Sequence, residues 1–168
     1  FESIAVEEGK IHGCSAEEVH FHEVGAIDSI VDIVGSVLGM EYLGIGMACA
    51  SSLPLGSGFV ETAHGRIPLP APATVALLRG IPVHDSGLKE ELVTPTGAAL
   101  VKGLVHSFGP LPPMVIEKVG YGVGSRNLAD RPNLLRILIG QEHGGAHEET
   151  VVILESNLND TNPEWLGF

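Results

Sequence analysis

The sequence predicts an α/β or α+β fold, with a mixed β-sheet and packed helices in a single domain. Residues 19–53 suggest a strand, a long helix and a second strand, which is the pattern of a β-α-β unit. Further along, short strand patterns alternate with Gly and Pro turn signals that are typical of hairpins. The 168 residues, 44% of them hydrophobic, are enough for one substantial core. The order of the strands does not follow from these patterns.

The individual elements follow from local signals. Runs of apolar and β-branched residues between turn signals predict strands at 19–24, 46–53, 58–63, 115–119, 134–140 and 151–155. Apolar periodicity and Pro or cap residues predict helices at 27–43, 72–80 and 95–108. The Gly-rich segment 120–124 lies between two strands and does not open a helix, so it predicts a loop and not a dinucleotide fingerprint.

The helix predicted at 27–43 is unusual because almost every direction around it is apolar. Asp28 or Ser29 is placed as its N-cap. Its broad apolar face consists of Ile27, Ile30, Val31, Val34, Val37 and Leu38. We therefore expect the helix to be buried, with Gly35 and Gly39 open to the close approach of a backbone or a ligand.

Metal-capable side chains precede and begin this helix. Five of them fall within thirteen residues, namely His20, His22, Glu23, Asp28 and Asp32. On a strand, His20 and His22 project from one face, and imidazole suits a borderline divalent metal. We predict a metal site of His20, His22, Asp28 and Asp32. The alternative is that Asp28 only caps the helix, Asp32 meets an Arg, and the histidines are ordinary polar groups.

The start of the helix at 95–108 predicts a site for an anion. Free backbone N–H groups and the positive end of the helix dipole favour phosphate there, and Gly97 admits a close approach. We assign phosphate binding to Thr94, Thr96 and Gly97, with simple helix capping as the alternative. Glu91 is a metal ligand, a general base or an exposed loop carboxylate.

Three further residues are candidates on loops. His64 is a ligand, a proton donor or a turn residue. Arg66 offers a planar fork of donors to a phosphate or carboxylate, with a solvated surface Arg as the alternative. Arg126 follows the Gly-rich segment and supplies positive charge there, with plain turn chemistry as the alternative.

Composition narrows the class of protein. The net charge of −12 argues against binding nucleic acid and against anionic membrane surfaces. The two cysteines, Cys14 and Cys49, form no Cys-x-x-Cys pair, so neither a disulfide framework nor a thiolate zinc site is expected. A reducing cytoplasm is the simplest location.

Several strings of the sequence resemble one known family. Residues 20–35 read HFHEVGAIDSIVDIVG, which is similar to the signature of the LarC-type nickel insertion proteins, formerly an uncharacterised conserved family. Further matches follow in order, namely SLPLGSG at 52–58, AHGRIPLPAPAT at 63–74, ELVTPTGAA at 91–99, GYGVG at 120–124, RPNLLR at 131–136 and ESNLND at 155–160. Together they span nearly the whole chain.

The resemblance implies an activity. Such proteins insert nickel, as a substrate metal, into pyridinium-3,5-bisthiocarboxylic acid mononucleotide in a CTP-dependent step, giving the nickel-pincer nucleotide cofactor of lactate racemase. A ring C–H proton must be lost, and His64, Glu23 and Glu91 are the candidates for the base. The implied partners are the pyridinium nucleotide, lactate racemase or its other maturation proteins, and further copies of the chain as a homo-oligomer.

The termini suggest a fragment of a longer protein. The chain begins without Met, and a Pro-initiated helix pattern starts at Asn162. We expect residues 1–140 to form the α/β domain that handles metal and substrate, 141–150 to form a linker or loop, and 151–168 to begin a C-terminal region. The resemblance implies that the CTP site, with Mg or Mn, is in that further region, so we expect the fragment alone to be inactive.

The sequence is also compatible with two other functions. The first alternative is a non-catalytic scaffold and oligomerisation module of the same protein, and the second is a metal-dependent phosphoester hydrolase. The His and Asp set and the anion-binding helix start fit the hydrolase almost as well on chemistry alone.

Overall fold

The structure is a computed structural model that describes residues 1–19, 27–62, 65–128, 131–143 and 150–156. Its helices are α1 (Glu2–His12), α2 (Ile27–Tyr42), α3 (Pro72–Leu77) and α4 (Pro95–Leu104), with a 3-10 turn at Ala16–Glu18. Its strands are β1 (Met47–Ala50), β2 (Leu53–Leu55), β3 (Phe59–Thr62), β4 (Gly65–Pro68), β5 (Val83–Asp85), β6 (Ser107–Phe108), β7 (Met114–Val123), β8 (Leu134–Glu142) and β9 (Thr150–Ser156). Helices and a mixed sheet form a single α/β domain, as the sequence predicts.

The main sheet has five strands in the order β6-β1-β9-β8-β7. Strand β1 runs parallel to both β6 and β9, whereas β9, β8 and β7 pair antiparallel. Two small sheets accompany it, a parallel pair of β2 and β5 and an antiparallel hairpin of β3 and β4. Because β9 lies between β1 and β8, residues 150–156 belong to the centre of the main sheet. The boundary predicted between a linker at 141–150 and a C-terminal region at 151–168 therefore falls within a strand of this sheet.

Two apolar clusters hold the domain together. The first joins helices to β2 and contains Ile4, Leu53, Leu77, Leu78 and Ala98. The second lies on the sheet and contains Cys49, Leu138, Val151 and Ile153. Side chains alternate along β9, yet Val151, Val152 and Ile153 are all buried, as expected for a central strand covered on both faces.

Some predicted boundaries are wrong, and each error has a local cause. The strand predicted at 46–53 is two strands, because β1 pairs with β6 and β9 whereas Leu53 pairs with Val83 of β5 in another sheet. The helix predicted to reach Phe108 ends at Leu104, since residues 107–108 join the main sheet as β6. The loop predicted at 120–124 is largely strand, because β7 continues through Val123 in register with β8.

The long helix is where the prediction fails most. Its limits agree, but it begins at Ile27, so Asp28 and Ser29 lie in the first turn and neither is the N-cap. It is also not buried, because its apolar face points away from the rest of the described domain, and Ser29 is its one buried residue. At Gly35 and Gly39 a Cβ would meet nothing within 4 Å, so nothing in the described residues approaches closely there.

The strand predicted at 19–24 lies almost wholly outside the described residues. Among the described residues, no helix combines the length and apolarity that crossing a membrane requires.

Candidate functional site

The first half of α2, the β3–β4 hairpin and the start of α4 enclose a cavity of about 340 Å³, here called the acidic cavity. It is lined by Asp28, Ser29, Asp32, Val60, Glu61, Thr62, Ile67, Ala71, Glu91, Thr94, Pro95 and Thr96. Five residues that the sequence singles out therefore face one space, although they come from two separate parts of the chain. They are Asp28, Asp32, Glu91, Thr94 and Thr96.

Helix α2 contributes one wall of the acidic cavity. Asp28 and Asp32 are one turn apart and exposed, so both carboxylates lie on the same side of the helix. Between them in sequence, Ser29 turns inward and is 7% exposed. Its hydroxyl accepts a long hydrogen bond of 3.5 Å from the Thr96 hydroxyl, which connects the first turn of α2 to the first turn of α4.

The start of α4 contributes another wall. Thr94 is the N-cap, as predicted, and its hydroxyl accepts a hydrogen bond of 3.1 Å from the Gly97 N–H. Pro95 has no N–H to offer. The Gly97 N–H, which the sequence assigns to phosphate, is therefore already used in the cap. Thr96 lines the cavity.

The charge of the cavity is negative. Four carboxylates line it, from Asp28, Asp32, Glu61 and Glu91, and no Lys or Arg is among the lining residues that the structure describes. Negative charges gathered around one space repel an anion and attract a cation. The arrangement therefore favours a cation inside the cavity over a phosphate.

Glu61 is a lining residue that the sequence argument missed. It lies on β3, where it pairs across the hairpin with Arg66 of β4. No local signal points to it, because the hairpin pairing places Glu61 opposite Arg66 but does not determine which helices the hairpin packs against. Its neighbour Thr62 also lines the cavity.

The two predicted arginines lie outside the cavity lining. The Arg66 guanidinium lies over the Phe59 ring at 4.4 Å from its centre, a cation–π contact on the hairpin. Arg126 forms an ion pair of 3.3 Å with Glu90 and approaches Glu91 at 4.0 Å. The Arg126 and Glu90 side chains are about half exposed, so the attraction between them is modest.

Four predicted site residues, His20, His22, Glu23 and His64, lie outside the described residues. Their attachment points in the chain are nevertheless described. The segment 20–26 joins α2 one residue before Asp28, and the segment 63–64 joins Thr62 of β3 to Gly65 of β4. Both segments therefore connect directly to walls of the acidic cavity.

Within the described ranges, no three His, Cys, Asp or Glu side chains come close enough to hold a metal ion together. The carboxylates of the acidic cavity thus do not form a complete metal centre by themselves. A metal site there would need ligands from residues beyond those ranges.

A second cavity of about 480 Å³ lies next to the acidic one and shares Thr94 with it. It runs between the second half of α2, helix α4 and the main sheet. Its lining is mostly aliphatic, with residues such as Met40, Leu100 and Ile137, and includes the polar Ser36 and Asn133. This apolar cavity separates α2 from the sheet.

Comparison with known proteins places the chain in context. A family model described as nickel insertion protein matches residues 1–168. A relative from Geotalea daltonii is 55% identical over 168 residues, and one from Syntrophobacter fumaroxidans is 53% identical over 167 residues; each alignment covers at least 99% of this chain and 43% of the relative. A relative from Desulfotalea psychrophila is 54% identical over 165 residues, or 98% of this chain and 42% of the relative.

These relatives are provisionally named as nickel insertion proteins, and the chain spans less than half of their length. Among solved structures, none matches the chain. With its whole length matched by the family model and identities above one half, the chain belongs to the nickel insertion protein family.

Proposed function

We propose that this chain is the part of a nickel insertion protein that receives the nickel ion, and that it does so at the acidic cavity. The observation that carries the proposal is the convergence of Asp28, Asp32, Glu61 and Glu91 on one space without a lining Lys or Arg among the described residues. Membership of the nickel insertion protein family supports nickel as that cation.

Two kinds of ligand complete the proposed site. Asp28 and Asp32 supply carboxylate oxygens from the first turns of α2. His20 and His22 supply imidazole nitrogens from the segment that leads into the same helix. Imidazole suits nickel, whereas carboxylate oxygen binds it less strongly, so a mixed set holds the ion without preventing its release to a substrate.

The fuller reaction is also a proposal. Nickel(II) enters pyridinium-3,5-bisthiocarboxylic acid mononucleotide, where it binds both thiocarboxylate sulfurs and forms a bond to the ring carbon between them. The ring C–H bond breaks, and a base takes the proton without any change in oxidation state. Glu91 is the candidate base within the described residues, and its place on the cavity wall supports this role. His64 and Glu23 are the other candidates.

The phosphate of that substrate is best placed at the border of the acidic cavity, because the four carboxylates oppose an anion within it. We propose that Arg126, which reaches Glu90 and Glu91, provides positive charge there. Thr94, Thr96, Gly97 and Arg66 stay candidates for the same contact.

The CTP site with Mg or Mn, the service to lactate racemase, the homo-oligomeric state and the cytoplasmic location are parts of the same proposal. They concern the whole protein. The relatives of the chain are more than twice as long as the chain itself.

The test is calorimetric titration of the chain with nickel at neutral pH. Even mutations of residues that only support a metal ligand cost about 10- to 100-fold in affinity, so Asp32→Asn is expected to weaken nickel binding at least about tenfold. The double variant His20→Ala/His22→Ala is expected to weaken it similarly.

Glu41→Gln is the matched control, because it removes one negative charge from the same helix at a position outside the cavity lining. It is expected to bind nickel as the unmodified chain does. Equal losses in Asp32→Asn and Glu41→Gln would mean that net charge alone attracts the ion, and no loss in any variant would leave the chain as a scaffold.

A further inference from the structure

Helix α2 turns its more apolar side away from the domain. The outward residues Ile27, Ile30, Val31, Val34, Val37 and Leu38 recur at the spacing of one helix face. We call this set the outer face of α2. Ile27 is 80% exposed, Val31 61% and Leu38 56%.

The side of α2 that points inward is the more polar one. Ser29 is buried against α4, Ile33 packs on the first apolar cluster, and Ser36 and Met40 line the apolar cavity. A surface helix of a complete domain shows the opposite arrangement, with its apolar stripe toward the core. The outer face is therefore built for contact with something beyond the described residues.

We propose that the outer face of α2 is covered by the additional polypeptide that full-length relatives carry, packed against this domain within the same molecule. The first support is length. The relatives match this chain from end to end, yet the matched region is only 43% of each, so more than half of each relative lies outside it.

The second support is area. Six roughly half-exposed aliphatic side chains present on the order of 500 Å² of apolar surface. Counted on both partners this is about 1,000 Å², which falls within the range of contacts between domains of one chain. It is below the 1,200–2,000 Å² or so that a stable complex of separate molecules buries. A second copy on this face alone would therefore bind weakly, whereas a tethered segment benefits from a high effective concentration.

A third support is that α2 is not the only uncovered apolar surface. Strand β7 is at the edge of the main sheet, and Val115, Ile116, Val119, Tyr121 and Val123 on it are each at least 46% exposed. A contact with a second copy through the outer face of α2 would cover that face alone. An additional region longer than the chain itself has enough residues to cover both α2 and β7.

The proposal has a consequence for the acidic cavity, although it does not depend on the nickel assignment. Asp28 and Asp32 lie on α2 beside the outer face and also line the cavity. A segment packed on the outer face would stand next to these carboxylates and form a further wall of the cavity.

The experiment measures how fast maleimide modifies a cysteine placed on the outer face. Leu38→Cys is made in the protein at the full length of its relatives and in the 168-residue chain, and modification is read by peptide mass spectrometry at that residue. Lys10→Cys is the control, because the Lys10 side chain lies on α1 and is 62% exposed. Val31→Cys provides a second position if Leu38→Cys does not fold.

In the full-length protein, Leu38→Cys is expected to react at least tenfold more slowly than in the 168-residue chain, at any protein concentration, with Lys10→Cys unchanged. Equal rates in the two lengths would overturn the proposal. Protection that grows with concentration as dimers form would assign the face to a second copy and also overturn it. If Leu38→Cys were already fully protected in the monomeric 168-residue chain, the outer face would be covered by residues of this sequence. That result would also overturn the proposal.

Discussion

At the scale of single residues, carboxylates give the acidic cavity its preference for a cation, and glycines set how closely the surrounding backbone packs. Gly56 shows the second effect. A Cβ at this position would collide with the backbone carbonyl of Glu90, the residue before Glu91. Nearby, the Ser57 N–H donates to the Leu88 carbonyl at 2.9 Å, so the loop before the hairpin is held against the segment that carries Glu91.

Gly56→Ala is expected to destabilise the chain by about 1–3 kcal/mol, because the added methyl group can be accommodated only by moving backbone. Urea denaturation measures the free energy of unfolding.

Gly35→Ala is the matched control, since the same change at an open position within α2 meets nothing within 4 Å. It is expected to stabilise the chain by roughly 0.5–1 kcal/mol through helix propensity. If both variants had the same stability, the close packing at Gly56 would be refuted.

At the scale of elements, α4 owes its start to one side chain. Thr94 caps the helix, Pro95 occupies the first turn, and the Thr96 hydroxyl donates to Ser29 of α2. The cap thus fixes where α4 begins, and this helix start contacts α2 through the hydrogen bond between Thr96 and Ser29. Two walls of the acidic cavity depend on this arrangement.

Thr94→Ala is expected to lower the free energy of unfolding by about 1 kcal/mol, because the Gly97 N–H loses its acceptor. Thr94→Ser keeps a hydroxyl at the same place and is expected to retain most of that stability. Thermal and urea unfolding of the two variants would show the difference, and equal losses would indicate that the methyl group of Thr94, and not its hydroxyl, is important.

At the scale of the whole molecule, the last described strand completes the domain. Strand β9 joins the parallel half of the main sheet to its antiparallel half, since it pairs with β1 on one side and β8 on the other. Its residues Val151, Val152 and Ile153 are each at most 5% exposed. The sheet is thus continuous only when residues 150–156 are present.

A chain that ends at residue 149 is therefore expected to lose cooperative unfolding, because β1 and β8 lose their common neighbour and the second apolar cluster loses Val151 and Ile153. A chain that ends at residue 156 is expected to keep it. Circular dichroism during thermal unfolding compares the two. A cooperative transition in the shorter chain would support a domain boundary near residue 140.

Some features of the candidate site depend on residues close together in the sequence, and others depend on contacts between distant segments. The pairing of Asp28 with Asp32 and the cap at Thr94 were predictable because each depends on residues within four positions along a helix. Glu61 was not predictable as their neighbour. Its place follows from how the hairpin packs against α2 and α4, and these elements are far apart in the sequence.

By itself, the sequence determined the limits of α2 to within one residue, the start of α4, the mixed α/β character of the fold and the family to which the chain belongs. These depend on side-chain periodicity, on capping and on strings of adjacent residues. Only the tertiary structure decided that β9 lies in the centre of the sheet, that β7 runs through the Gly-rich segment and that α2 faces outward. The physical reason is that strand pairing and helix orientation minimise a free energy summed over distant contacts, which no local pattern contains.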